Sequence, residues 1–189
     1  MIKEDMKKLI SLLAMALCGV ALVGCGGDEG GNEPPAPTPK EDVFGWHMTS
    51  WEIGGEDTDF PKEVYLVLTK DTEQTQESVE VGTFTMYQDV VSNGFEKITG
   101  TYTFNQATQQ LDGEYSDGEA WAYSYTVSGA TQISSLESAS EETMTLTATA
   151  DPDYKMVYES LQIPATVIDN ALSREQASTQ SVRAGIRIL

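Results

Sequence analysis

From Val43 onward, apolar and polar residues alternate with a period close to two, and glycine, asparagine, aspartate or proline interrupts them at short intervals. That is the pattern of half-buried strands joined by tight turns. It predicts eight strands: Phe44–Ile53, Glu63–Lys70, Val81–Val90, Glu96–Phe104, Gln109–Tyr115, Ala120–Val127, Thr143–Thr149 and Tyr154–Ile163. Ser92-Asn93-Gly94 and Ser116-Asp117-Gly118 are turn sequences that favour positive φ, and Asp151-Pro152-Asp153 opens a further turn. No connection is long and apolar enough for a parallel crossover, so the sheet is expected to be antiparallel.

Parity marks one inward face. It carries Val64, Leu66 and Leu68, then Phe84 and Met86, then Ile98, Tyr102 and Phe104. Trp121, Tyr123, Tyr125 and Val127 continue it, followed by Met144 and Leu146, then Met156 and Tyr158. The opposite faces are rich in Thr, Ser and Glu. One apolar face on each of eight sequential strands fits a barrel or a sandwich, and closure into a barrel removes the exposed edges. The expected fold is therefore all-β: a small antiparallel eight-stranded up-and-down barrel spanning 43–171. The segment Ile163–Leu172 is expected to form one short helix after the last strand. Ser128–Glu142 is long and polar, either a rim loop or a short extra strand at Thr131–Leu136. Residues 172–189 are expected to be a flexible tail, with docking through Ile186, Ile188 and Leu189 as the lesser alternative.

The chain ahead of the barrel changes the picture. Lys7 and Lys8 precede an apolar run from Leu9 to Val23, shorter than a membrane-spanning helix and of signal-peptide length. Met6 opens the cleaner version of that signal. The run ends in Leu22-Val23-Gly24-Cys25, which resembles a bacterial lipobox. Residues 1–24 are thus expected to be a lipoprotein signal peptide cut between Gly24 and Cys25. Cys25 would then carry a diacylglycerol on sulfur and a further acyl chain, palmitate for example, on its new amine. Each buried CH₂ contributes about 0.8 kcal/mol, so two or more chains anchor stably where one does not. Gly26–Asp42 is rich in glycine, proline and acid, and with Cys25 forms the tether 25–42. Asp28 and Glu29 just after the cysteine fit either a soluble linker or a surface-export signal. The expected location is lipid-anchored at the outer membrane, at the cell surface or facing the periplasm.

Cysteine usage agrees. Cys18 leaves with the signal and Cys25 is acylated, so neither a disulfide nor a free thiol holds the mature chain together. The formal charge is −19, from 11 basic and 30 acidic residues. Residues 1–24 hold three lysines and two acids, which leaves eight basic against 28 acidic residues, or −20, after processing. Such a chain repels nucleic acid and anionic head groups, so no nucleic-acid partner is expected.

Candidate chemistry is sparse. The one histidine, His47, lies on the first predicted strand with no oriented base–nucleophile pattern beside it. Zinc would need several His or Cys ligands, and Glu56–Asp59 and Asp151–Asp153 lack an EF-hand spacing. No catalytic residue, metal or cofactor is expected, and the chain is not expected to be an enzyme. The inward aromatic set is the candidate site. Trp46, Phe84, Tyr102, Trp121, Tyr123 and Tyr125 would either line a cavity for a small apolar ligand or fill the barrel with side chains.

Gly45 and Trp46 in the first strand resemble the Gly-x-Trp opening of the lipocalins and other calycins. Glu63–Lys70 with Gly82–Gln88, Thr99–Phe104 with Leu111–Val127, and Ile163–Ala171 extend the likeness to lipocalin-like lipoproteins of Bacteroidota-type bacteria. The resemblance covers roughly Val43 to Ala171. It implies an eight-stranded barrel on a lipid tether, with Trp46 sealing the floor and a small, mostly apolar ligand inside. A filled barrel presenting its rim to a protein or glycan partner is the alternative. Lipocalins often pair the floor Trp with an Arg near the last strand; here no Arg lies between Trp46 and Arg174, and Lys155 is the nearest basic candidate.

Overall fold

The computed structural model describes residues 42–129, 142–179 and 187–189. In chain order these form β1 (Phe44–Ile53), β2 (Glu56–Asp57), β3 (Glu63–Lys70), β4 (Val79–Asp89), β5 (Glu96–Asn105), β6 (Gln110–Tyr115), β7 (Tyr125–Gly129), β8 (Thr143–Ala148) and β9 (Asp151–Gln162). Helix α1 (Ala165–Asn170), β10 (Leu172–Ser173) and helix α2 (Arg174–Thr179) follow. The sheet runs β5-β4-β3-β1-β9-β8-β7-β6, and β6 pairs back onto β5 through Gly100↔Tyr115 to Asn105↔Gln110. Eight antiparallel strands therefore close a barrel in which every strand pairs with its neighbours in sequence, as expected. The two-residue β2 only folds back on the end of β1.

Closure gives each strand one dry face, and the alternation follows it. Val64, Leu66, Met86, Tyr102, Phe104, Leu146 and Tyr158 are all buried in one cluster. Below the upper end the interior is filled: Leu66, Met86, Phe104, Leu111, Met144 and Met156 have no exposed surface, so no water-sized space touches them. Two of the turns behave as their sequences demand. Ser92 and Gly94 have φ of 62° and 108°, and Gly118 has φ of 86°.

Gly45 and Trp46 are adjacent, without the intervening residue of a Gly-x-Trp opening, so the pleat sends them to opposite faces. Trp46 is 1% exposed inside the barrel. Gly45 faces outward, where a Cβ would lie 2.7 Å from Ile163 Cδ1 and 2.8 Å from the Leu66 carbonyl oxygen. The glycine thus lets the segment leading into α1 press against the wall. From Ile163 onward the chain covers an outer patch of Tyr65, Tyr87 and Phe95 with Val167 and Ile168. Its direction then lets Leu172–Ser173 pair in parallel with Glu96–Lys97 of β5.

Four local expectations need correction, and β1 adds a bulge that none of them covered. A bulge between Met48 and Ser50 shifts β1 by one residue against β9. Met48 and Trp51 therefore both reach the core despite opposite parity. Strand β7 starts at Tyr125 rather than Ala120, because the chain leaves the ladder at Trp121 to turn that side chain inward. Strand β9 starts at Asp151, so the β8–β9 turn sits at Thr149–Ala150. The tail 172–189, expected to be flexible, is built into the fold at its described parts. Ala177 of α2 is buried, and Ile188 and Leu189 are 2% and 1% exposed within the barrel cluster. The suggested strand at Thr131–Leu136 lies outside the described residues, as do Gly24 and Cys25. Lys155 does not approach Trp46; it faces outward with its Nζ 2.9 Å from Glu52 of the paired strand.

Candidate functional site

The turns after β1, β4, β6 and β8 gather at one end of the barrel, the upper mouth, and the rings cluster there. Phe60 lies 6.0 Å from Trp51 between ring centres, and Trp51 lies edge-on 5.7 Å from Tyr154. Tyr154 meets Tyr123 at 4.9 Å and Tyr125 at 6.5 Å. Tyr125 meets Trp121 at 6.2 Å, Trp121 meets Phe84 at 5.2 Å, and Phe84 meets Tyr115 at 5.9 Å. Eight rings thus form one unbroken, mostly edge-to-face chain, the arrangement their quadrupoles favour.

Backbone geometry makes room for it. The amide of Trp121 donates to the Gly113 carbonyl at 2.9 Å, which holds the departed segment beside β6. The indole lies over Gly113, where any Cβ would overlap it. Gly100 does the same for the Phe84 ring. Aromatic bulk from one strand sits where the neighbouring strand offers no side chain.

The mouth is apolar but not without polar groups. Burial pushes the Tyr154 phenol up to about 12, and raises Tyr115 and Tyr125 well above the ordinary tyrosine value. All three stay protonated across the physiological range and act as neutral donors. Tyr154 Oη donates to the Ile188 carbonyl at 3.1 Å, Tyr125 Oη approaches the same oxygen at 3.5 Å, and Tyr115 Oη donates to the Leu189 carbonyl. Trp121 Nε1 is buried with no hydrogen-bond partner among the described residues. At the rim Asp117 and Glu119 bind Arg187, whose guanidinium carbon stands 4.0 Å from the centre of the Tyr115 ring. Arg187 holds the Asp117 carboxyl below its ordinary value through their hydrogen bond.

At the upper ends of β4 and β5, Gln88 donates to Glu96 at 3.3 Å and Arg174 lies 3.8 Å from the same carboxylate. Desolvation raises the Glu96 pKa, against the lowering effect of Gln88 and Arg174.

Of the six ligand-binding candidates, Phe84, Trp121, Tyr123 and Tyr125 come together in this mouth. Trp46 and Tyr102 do not join the ring chain. Tyr102 donates to the buried Glu80 at 2.8 Å toward the opposite end, and Trp46 is buried three residues into β1. His47 is on the outer wall, stacked 4.7 Å from Tyr65. Sequence reasoning missed Trp51, Phe60, Tyr115 and Tyr154. Tyr115 and Tyr154 were within reach, because each continues the inward parity of its strand (Leu111 to Tyr115, Tyr158 to Tyr154). Trp51 was hidden by the bulge, and Phe60 lies in a loop with no period.

Comparison of the chain with family models, with curated proteins and with solved structures returns no match.

Proposed function

We propose that this chain is a membrane-anchored envelope lipoprotein of the lipocalin-like kind, without enzymatic activity, whose barrel mouth binds a small, mostly apolar ligand. The observation that carries this is the eight-ring mouth, with three neutral tyrosine hydroxyls turned to carbonyl oxygens within it. Rings supply apolar area and a few placed donors fix orientation, which is the usual composition of small-molecule sites. The filled interior below supports a ligand at the mouth rather than one deep inside. It also supports a second reading, a rim that docks a protein or glycan partner.

Native mass spectrometry separates the two. The chain carrying Cys25→Ser, incubated with envelope extract, should gain a discrete mass that denaturation removes. A folded protein with no added mass overturns the ligand reading in favour of the docking rim. The anchor has its own test: Cys25→Ser should abolish incorporation of labelled palmitate and release the chain from the membrane. Retention of the variant at the membrane would overturn it.

A further inference from the structure

Arg187, Ile188 and Leu189 occupy the mouth, held through the Arg187 terminal nitrogens, the main-chain oxygens of Ile188 and Leu189 and their two apolar side chains. The Arg187 side chain is 10% exposed, with Asp117 and Glu119 on its two terminal nitrogens and the Tyr115 ring beneath it. Ile188 and Leu189 are buried in the same apolar cluster as Trp51, Trp121 and Tyr125. Their carbonyls accept from Tyr154 and Tyr115. Hydroxyls that read backbone carbonyls recognise a peptide as such. Rings that enclose two branched side chains, and two carboxylates around a guanidinium, select which peptide.

The connection matters as much as the contacts. Only residues 180–186 separate α2 from this strap. A segment tethered that closely competes at an effective concentration on the order of millimolar, without any affinity beyond its own.

We propose that the mouth is a peptide-recognition site for a basic residue followed by two branched aliphatic residues. The chain's own Arg187–Leu189 is its resident occupant, and other ligands enter only when that strap leaves. This rests on the reading of the mouth as a binding site and adds the ligand class and its regulation.

The test uses a fluorescent hexapeptide with the sequence of residues 184–189, Ala-Gly-Ile-Arg-Ile-Leu, titrated by anisotropy against the full chain and a variant lacking 187–189. The variant should bind the peptide at least about tenfold more tightly than the full chain, because the tethered competitor is gone. A peptide with Glu in place of Arg should lose that binding. Equal affinity for the full chain and the folded variant, or for the two peptides, overturns the proposal. Should the shortened variant not fold, full-length Arg187→Glu loosens the strap by placing like charge beside Asp117 and Glu119. It must then bind the hexapeptide better than the parent, and failure to do so overturns the proposal.

N-phenyl-1-naphthylamine, an apolar dye, separates this from the underlying reading. Dye bound by the shortened variant without peptide binding overturns the inference and leaves the apolar-ligand site standing. Peptide bound without dye upholds the inference and removes the apolar small molecule.

Discussion

A methyl group added at Gly113 strikes the Trp121 indole and nothing nearer: the three closest atoms to that Cβ all belong to the ring, Cδ2 at 2.6 Å among them. The ring has no free direction of retreat. It is 6% exposed, with Phe84 at 5.2 Å on one side and Tyr125 at 6.2 Å on another. Gly113→Ala should therefore cost about 1–3 kcal/mol, the usual range for overpacking. Trp121→Ala should cost about 3–5 kcal/mol through lost burial and the cavity left behind. In the Trp121→Ala background the added methyl meets no ring. Alanine then gains about 0.5–1 kcal/mol over glycine in a strand, because less backbone entropy is lost on folding. The two substitutions should couple by about 2–3 kcal/mol in the favourable direction. Urea unfolding of the four proteins, followed by far-ultraviolet circular dichroism, reads this as a midpoint shift of about 1 M for Gly113→Ala alone. The shift should vanish or reverse when Trp121 is already alanine. Equal cost in both backgrounds, within about 0.5 kcal/mol, would refute the assignment of Gly113 as the seat of the indole.

Phe84→Ala should cost about 3–5 kcal/mol, because the ring is 1% exposed, whereas Tyr123→Ala, at a half-buried rim position, should cost far less; a small loss at Phe84 in the same urea assay would show that space already existed inside. Gly45→Ala should cost about 1–3 kcal/mol by pushing Ile163 off the wall, and amide hydrogen exchange should speed up in α1 before it does in β3. Alkaline stability should follow the tyrosines. Burial first, then Glu63, pushes Tyr65 up to about 12, burial pushes Tyr154 up to about 12, and Tyr115, Tyr125 and Tyr158 are raised as well. The fold holds those protons more tightly than the unfolded chain does. The contribution is thus complete below pH of about 10 and is lost as pH rises from there toward about 12. Tyrosinate absorbance should appear together with loss of the β spectrum, and ionisation of all tyrosines near pH of about 10 in a chain that stays folded would contradict it.

Much of the barrel was readable along the chain. Closing the sheet leaves every strand with one dry face, so a period of two had to appear from Val64 to Tyr158, and it names nearly the whole interior. Ser92-Asn93-Gly94 and Ser116-Asp117-Gly118 announce turns because few residues tolerate positive φ. These signals are local, and local signals survive in a sequence. The mouth is a different matter. Trp51 points inward only because one extra residue in β1 is set against β9, about a hundred positions away. Trp121 leaves its strand only because Gly113 offers a place for its ring. Arg187–Leu189 carry no strand or helix period, and their burial comes from Tyr115, Tyr125, Tyr154 and two rim carboxylates on other strands. The sequence by itself determined which face of each strand is apolar, since backbone geometry sets that residue by residue. Only the tertiary structure decided where the rings meet and what fills the space between them, since that depends on register and closure between strands far apart in the chain.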